Sequence, residues 1–394
     1  MKLKDICQYV PERVATTTLT IDNYISTENM LPDKGGVVVA SGVPAGNAVT
    51  FAAGDVLVSN IRPYFKKIWR ADKKGGCSAD VLCFRTNENV DSKYFYYLLS
   101  QQSFFDYMMS GSKGCKMPRG DKKQIMQWSF DLPSFEKQKR ITNILSSLDS
   151  KIELNRRIND NLEQQAQALF KSWFVDFEPF KDGKFVESEL GMIPKGCRVG
   201  KAEDFYNINI GKTPPRKEQV WFSSNSSDYI WVSISDLGSC GRFVFTSSEF
   251  LTHEAIKRHN IILVPKDTIL LSFKLTIGRV RIAGAELTTN EAIARFITSD
   301  ENREYTYFLL KGYNYEKLGS TSSIATAVNS KIIKAMVVLM PDKEILKAFS
   351  SLTKPYFDQI LRNEQESIRL TILRDTLLPK LMSGELKINA TEVL

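Results

Sequence analysis

The stretch LPSFEKQKRITNILSSLDSKIELNRRINDNLEQQAQALFKSWFVDF, residues 132–177, decides the fold. After Pro133 it holds neither glycine nor proline, and Ser134 stands where an N-cap residue would open a helix. Ile141, Leu145, Leu148, Ile152, Asn155, Asn159, Leu162, Ala166, Leu169 and Trp173 follow one another at steps of four and three without a break. All but the two asparagines are apolar. A 3.5-residue period held this long describes a coiled-coil seam, not the stripe of an ordinary surface helix. About 40 residues at 1.5 Å each would make a rod of roughly 60 Å, which needs a partner helix.

The chain supplies one 208 residues later, where Met340-Pro341 stands as Leu132-Pro133 stood. The same shift turns the first seam into Phe349, Thr353, Tyr356, Ile360, Asn363, Ser367, Leu370, Arg374, Leu377 and Leu381. Six of these are apolar, and Pro355 predicts a kink in the first third. In an antiparallel pair Asn155 and Asn363 would meet near the crossing point, where a buried polar pair fixes register at some cost in stability. Replacing both with leucine is then expected to stabilise the pair and loosen its register.

The repeat extends ahead of the helices. Gly54–Ser59, Tyr94–Leu99, Ser110–Ser112 and Leu132-Pro133 are followed, in the same order and at offsets of 208 to 213, by Lys266–Ser272, Tyr305–Leu310, Gly319-Ser320 and Met340-Pro341. Each half is thus a variable domain followed by a long helix, and an internal repeat constrains a fold more than any propensity does. The predicted division is 1–134 for the first variable domain, 135–178 for the first long helix and 179–189 for a linker. Residues 190–342 then form the second variable domain and 343–388 the second long helix. Short β-branched runs broken by Gly, Pro and Asn at 35–60 and 228–298 predict small bent sheets. Residues 92–110 and 304–318 predict one helix each. The fold class is mixed α/β: two sheet-bearing domains joined by two long antiparallel coiled-coil helices in a pseudo-twofold repeat.

Composition sets the outer bounds. At 394 residues, 43% hydrophobic and 25% charged, the chain suits two or three globular domains. No apolar run reaches the ~18 residues of a membrane span, and the N-terminus lacks a signal-peptide core, so a cytoplasmic protein without a membrane partner is expected. Six scattered cysteines without a CxxC, and two histidines, point to reduced thiols and no metal site. The net charge of +8 favours a polyanionic partner and excludes an acidic DNA mimic.

Catalytic signatures fail one by one. Gly211-Lys212-Thr213 resembles the end of a phosphate-binding loop, but Tyr206 stands where its first glycine belongs. Pro341-Asp342 and Glu385-Leu386-Lys387 copy pieces of a nuclease motif from two ends of one helix unit. His253 and His259 have no ligand partners at useful spacing and read as surface residues. Neither an Asn-Pro-Pro-aromatic motif nor a glycine-rich strand–turn–helix for S-adenosylmethionine is found.

Four segments carry a resemblance: QKRITNILSSLDSKIELNRRINDNLEQQAQALFKSWFVDFEPF (138–180), GMIPKGC (191–197), DYIWVSISDL (228–237) and RDTLLPKLMSGEL (374–386). With the domain–helix–domain–helix order they make the whole chain resemble the specificity subunit of type I restriction–modification systems. Two departures are Cys197, where the family often has Trp, and Thr289-Asn290-Glu291, where it has a TNQ-like triplet. The second bears on what that loop contacts.

The resemblance implies a non-catalytic chain whose variable domains are target recognition domains, each reading half of a bipartite, asymmetric site in double-stranded DNA. The helices would act as a ruler and dock two methyltransferase subunits, with two restriction–translocase subunits completing the complex. S-adenosylmethionine, ATP and Mg would sit on those partners, and none in this chain. The competing classes are a self-contained DNA-modifying enzyme, whose motifs are missing, and a coiled-coil adaptor, which would need no basic loops.

For DNA contact the candidates are cationic loops, some of them glycine-rich, where cations and backbone amides approach phosphates and Arg or Asn reads base edges. They are Asn60, Arg62, Lys66 and Lys67; Lys113, Lys116 and Arg119; Lys212, Thr213 and Arg216; and Ser272, Lys274 and Thr276. Residues 1–134 hold 17 Lys and Arg against 13 Asp and Glu, so the excess matters only if one face collects it.

Overall fold

A computed structural model of the chain describes residues 1–112, 114, 116–318 and 328–386. The chain packs as two compact units, one made of Met1–Ile152 with the chain from Arg369 onward, the other of Glu153–Ile368. The two long helices, Phe135–Phe174 and Lys343–Ser383, each contribute to both units. Among the described residues no helix is long and apolar enough to cross a membrane.

The repeat seen in the sequence reappears in strand order. In the first unit Cys7–Tyr9, Val81–Thr86, Val56–Ser59 and Ile68–Arg70 lie side by side in an antiparallel sheet. In the second unit Asn207–Ile210, Ile293–Ile297, Ile269–Ser272 and Val280–Ala283 take the same order, and Phe243–Val244 adds a fifth, parallel strand. Each unit has a second four-stranded sheet with one parallel pairing. The central strands Val56–Ser59 and Ile269–Ser272 are buried along their whole length because both faces of the sheet are covered: Val56 and Val58 enter one core and Leu57 another, as do Ile269 and Leu271 against Leu270.

Each variable domain has its ends stitched together. Leu3 N–H donates to the Trp128 carbonyl at 2.9 Å and the terminal ammonium to that of Phe130 at 2.8 Å. In the second unit Cys197–Lys201 pairs antiparallel with Val337–Pro341, Cys197 opposite Pro341. A hairpin of Phe185–Ser188 and Gly191–Pro194 precedes it, so the link expected at 179–189 carries ordered structure.

Two helical expectations are corrected. Residues 92–110 form two helices, Ser92–Leu99 and Gln102–Ser110. The break falls where Gln101 turns extended and the Ser100 hydroxyl donates back to the Tyr96 carbonyl at 2.7 Å. Residues 304–318 likewise give a helix, Arg303–Lys311, and a separate 3-10 turn at Tyr315–Leu318. Pro355 does not interrupt the second long helix, which runs unbroken from Lys343 to Ser383.

Within each unit the long helices run antiparallel. In the first, Ile141 and Leu145 share a core with Leu378 and Leu381 under Phe95 and Phe104. There Arg374 Nη1 meets Asp149 Oδ1 at 2.7 Å, and the Tyr97 hydroxyl donates to the other oxygen of Asp149. In the second, Phe170 and Trp173 pack against Phe349, and Ala166 lies in the core with Phe357 and Ile360.

The seam asparagines lie in the second unit, and the side chain of Asn363 pairs with Asn159 and not with the side chain of Asn155. Asn363 Nδ2 donates to Asn159 Oδ1 at 2.8 Å, while Gln359 Nε2 donates to Asn363 Oδ1 at 2.7 Å. Asn155 instead sends its amide to Glu366 Oε2 at 2.7 Å, to the Ser367 hydroxyl and to the Asn363 carbonyl.

Beside them, Glu163 is buried and anchors the domain to the helix. It accepts from the Tyr307 hydroxyl at 2.6 Å, pairs with Lys311, and binds Arg242 Nη2 at 2.8 Å. Glu364 of the opposite helix accepts the backbone N–H groups of Arg242 and Phe243. Burial pushes the Glu163 pKa up, but Lys311, Tyr307 and Arg242 together outweigh it and hold the carboxyl below its ordinary value. Glu364 has weaker compensation, and burial leaves its pKa raised.

Candidate nucleic-acid interface

In each unit the central strand of the sheet whose order recurs in the repeat ends in a hairpin loop, and the candidate residues gather at these two loops. In the first unit the loop 60–67 connects Val56–Ser59 to Ile68–Arg70. Pro63–Phe65 forms one 3-10 turn between Arg62 and Lys66, both in the left-handed region at φ 49° and 50°. The loop after the second short helix lies against it: Arg62 N–H donates to the Pro118 carbonyl at 2.8 Å, Gly120 N–H to the Asn60 carbonyl, and Ile61 bridges Arg119. Two clusters distant in sequence, Asn60–Lys67 and Lys116–Arg119, are therefore one surface. Lys113 lies outside the described residues.

The members of this surface differ in freedom. Asn60 is buried with its Oδ1 unpaired, and the Arg62 Nε is likewise buried without a partner. Arg119 is exposed and pairs with Asp80 at 3.1 Å, and Lys116 is exposed. Lys67 turns its ammonium inward to the Thr27 carbonyl at 2.7 Å, and burial lowers its pKa.

In the second unit the loop 273–279 links Ile269–Ser272 to Val280–Ala283. Ser272 is buried, and its hydroxyl donates to the Thr276 carbonyl at 2.6 Å and accepts from Arg279 N–H at 3.0 Å. Its place is therefore under the loop, as a brace, while Lys274 and Thr276 face solvent.

Residues 211–216 reach the same place because Gly211 lets the turn 289–293 close on it. A Cβ there would overlap the carbonyl oxygens of Thr289 and Asn290. That approach sets the Thr213 hydroxyl on the Glu291 carboxylate, inside the triplet Thr289-Asn290-Glu291. Burial acts to raise the Glu291 pKa, but Thr213, a backbone amide, Lys274 and Arg216 hold it below the ordinary carboxylate value. Glu291 is thus kept anionic among cations.

Arg216 is held in one geometry. Its guanidinium lies 4.4 Å from the ring centres of Phe222 and Trp231 and makes two 2.8 Å hydrogen bonds to Glu249. Lys212 donates to the His259 carbonyl. His259 is not the plain surface residue expected, since its ring packs edge-on against Trp221 at 5.0 Å. Among the described residues no cluster of three His, Cys, Asp or Glu could hold a metal.

Sequence reasoning by charge passed over the apolar side chains at the same loops. Tyr64 and Phe65 are 47% and 38% exposed, and Leu275 is 98% exposed. A large apolar residue set beside a lysine within a short loop between two strands is the signal that marks them.

Fold and loops define a class: an internally repeated chain with two sheet domains, each bearing a cationic hairpin loop and each tied to antiparallel segments of the same two long helices. Known proteins of this kind match it. The model of the type I restriction modification DNA specificity domain fits twice, over residues 1–164 and 194–370. The chain belongs to the family of type I restriction–modification specificity subunits.

It is 31% identical over 312 residues to the type I restriction enzyme MjaIX specificity subunit of Methanocaldococcus jannaschii, covering 76% of this chain and 70% of that one. The type I restriction enzyme HindI specificity subunit of Haemophilus influenzae is 26% identical over 401 residues, covering 84% and 86%. The fold is similar to the crystal structure of the type I restriction–modification S subunit from M. genitalium, with a TM-score of 0.52 at 16% identity, covering 97% of this chain and 95% of that one.

Proposed function

We propose that this chain is the DNA-reading subunit of a type I restriction–modification complex and is not itself catalytic. Each variable domain would read one half of a bipartite, asymmetric duplex target. The observation that carries the reading is the recurrence of a cationic loop at the end of the same central strand in both repeats, in otherwise unlike sequence. Cations in such loops meet phosphates, while Arg216 and Glu291 have the donor and acceptor patterns that read base edges, and Asn60 lies buried beneath its loop. The remaining seam and exposed faces of the long helices would dock two methyltransferase subunits, and two restriction subunits would join them. S-adenosylmethionine, ATP and Mg would be carried by those partners.

Base-resolution methylation mapping of DNA from cells holding this chain with its methyltransferase, against cells lacking the chain, tests the reading. A new motif of two short unlike halves around a fixed gap is expected. A stable methyltransferase complex with no new motif would overturn it in favour of an adaptor. Binding of that complex to duplex should also weaken steeply with salt, as counterion release requires.

A further inference from the structure

We propose that the hairpin loop after Ser59 and the loop after Ser272 each press an apolar side chain against the bases of one half-site: Tyr64 backed by Phe65 in the first, Leu275 in the second. The proposal rests on the DNA-reading function above and names the residues that carry it past the phosphates.

A single exposed leucine is ordinary on a protein surface. Leu275 differs in how it is held. Its backbone sits at φ 60°, a conformation that branched and bulky residues avoid, and the loop is braced from below by the Ser272 hydroxyl on Thr276 and Arg279. Almost the whole side chain, 98%, stands in solvent, next to the exposed Lys274. The chain has therefore fixed an apolar tip outward that it could have folded inward.

The first repeat does the same with different residues. Its loop joins the corresponding strands, bends left-handed at Arg62 and Lys66, and turns out Tyr64 and Phe65, whose ring centres lie 4.7 Å apart. Arg62 and Lys66 flank the pair in the chain, and the Lys67 ammonium, held on the Thr27 carbonyl, lies 5.9 Å from the Phe65 ring centre. Two loops of unlike sequence, IRPYFK and KLTIG, thus share strand position, left-handed bend, cations and an exposed apolar tip. An apolar tip among cations suits duplex DNA: the cations take the phosphates, and the tip meets a base face or a thymine methyl within the groove. Different tips in the two repeats suit different half-sites.

The test uses the full chain in complex with its methyltransferase and a duplex library of randomised sequence, with bound molecules sequenced at several salt concentrations. Leu275→Gly keeps the left-handed backbone accessible while removing the side chain, and Tyr64→Ala truncates an exposed ring, so neither opens a core cavity. Each is expected to weaken enrichment of one half-site roughly tenfold and leave the other half and the salt slope unchanged. Lys274→Gln should instead lower the slope by about one and leave base preference intact. Unchanged half-site enrichment in both apolar variants, or a fall in salt slope without loss of base preference, would overturn this proposal alone. A wild-type complex that enriches no motif would overturn the DNA-reading function and this proposal with it.

Discussion

At the scale of single residues, the candidate surface of the second unit depends on an atom that is missing. Gly211 brings residues 211–216 to the turn 289–293, and the Thr213–Glu291 contact follows from that approach. Gly211→Ala should force the strands apart, cost about 1–3 kcal/mol by overpacking and abolish recognition of one half-site. Methylation mapping together with thermal unfolding checks both effects. Thr213→Val, which removes only the hydroxyl, provides the comparison: it frees Glu291 without moving the backbone. The candidates chosen by charge are not equivalent at this scale. Ser272 braces a loop and Lys67 caps a carbonyl, whereas Lys116 and Lys274 stand free enough to meet phosphate.

At the scale of elements, the helix pair in the second unit is fixed by buried polar groups whose partners all come from the pair or from the domain it carries. Asn363 supplies a donor to Asn159 and an acceptor to Gln359, so Asn363→Leu strands two polar groups and should cost about 1–3 kcal/mol. Adding Asn159→Leu should recover part of that loss, because a buried polar pair replaced whole is far less costly than one broken. Chemical denaturation of the two variants measures this. Replacing Asn155 and Asn363 together, the change suggested by the sequence, would leave Asn159 and Gln359 without these partners.

Glu163 is the other fixed point, and its carboxyl is held below the ordinary value of 4.5. A depressed carboxylate contributes stability that is fully present above its unfolded pKa and is lost as the pH falls through the folded one. The advantage of the wild type over Glu163→Gln, about 2–4 kcal/mol with Arg242 and Lys311 left facing a neutral group, should therefore hold at neutral pH. It should shrink below about pH 4.5. An advantage that persists undiminished in acid would show that Glu163 acts through packing and not through charge.

At the scale of the whole molecule, the chain is a repeat whose variable domains begin and end at a stitch. Cys197–Lys201 pairs with Val337–Pro341, so the second domain enters and leaves the scaffold at neighbouring strands. Such closed ends let a domain be replaced without re-laying the helices. Exchange of residues 190–342 for the matching domain of a relative is expected to change one half of the methylated motif and leave the other half untouched. Changes in both halves would mean that recognition is shared between domains.

The sequence by itself determined the helices and the repeat, because a 3.5-residue seam and a fixed offset are written in residue order, while the contacts of Ile141 with Leu381 and of Trp173 with Phe349 settle that the helices run antiparallel. It also delimited the cationic loops, because lysine, arginine and glycine declare themselves wherever they fall. Only the tertiary structure decided which loops share a surface. Ile61 meets Arg119, and Gly211 meets Thr289 and Asn290, through approaches that join residues more than fifty positions apart. The split of residues 92–110 into two helices was likewise out of reach, since a serine hydroxyl bonding back to Tyr96 leaves no mark on hydrophobic periodicity. The exposure of Leu275 depends on the same physics. A leucine in a sequence reads as core, and only the left-handed bend of a braced loop turns it toward solvent.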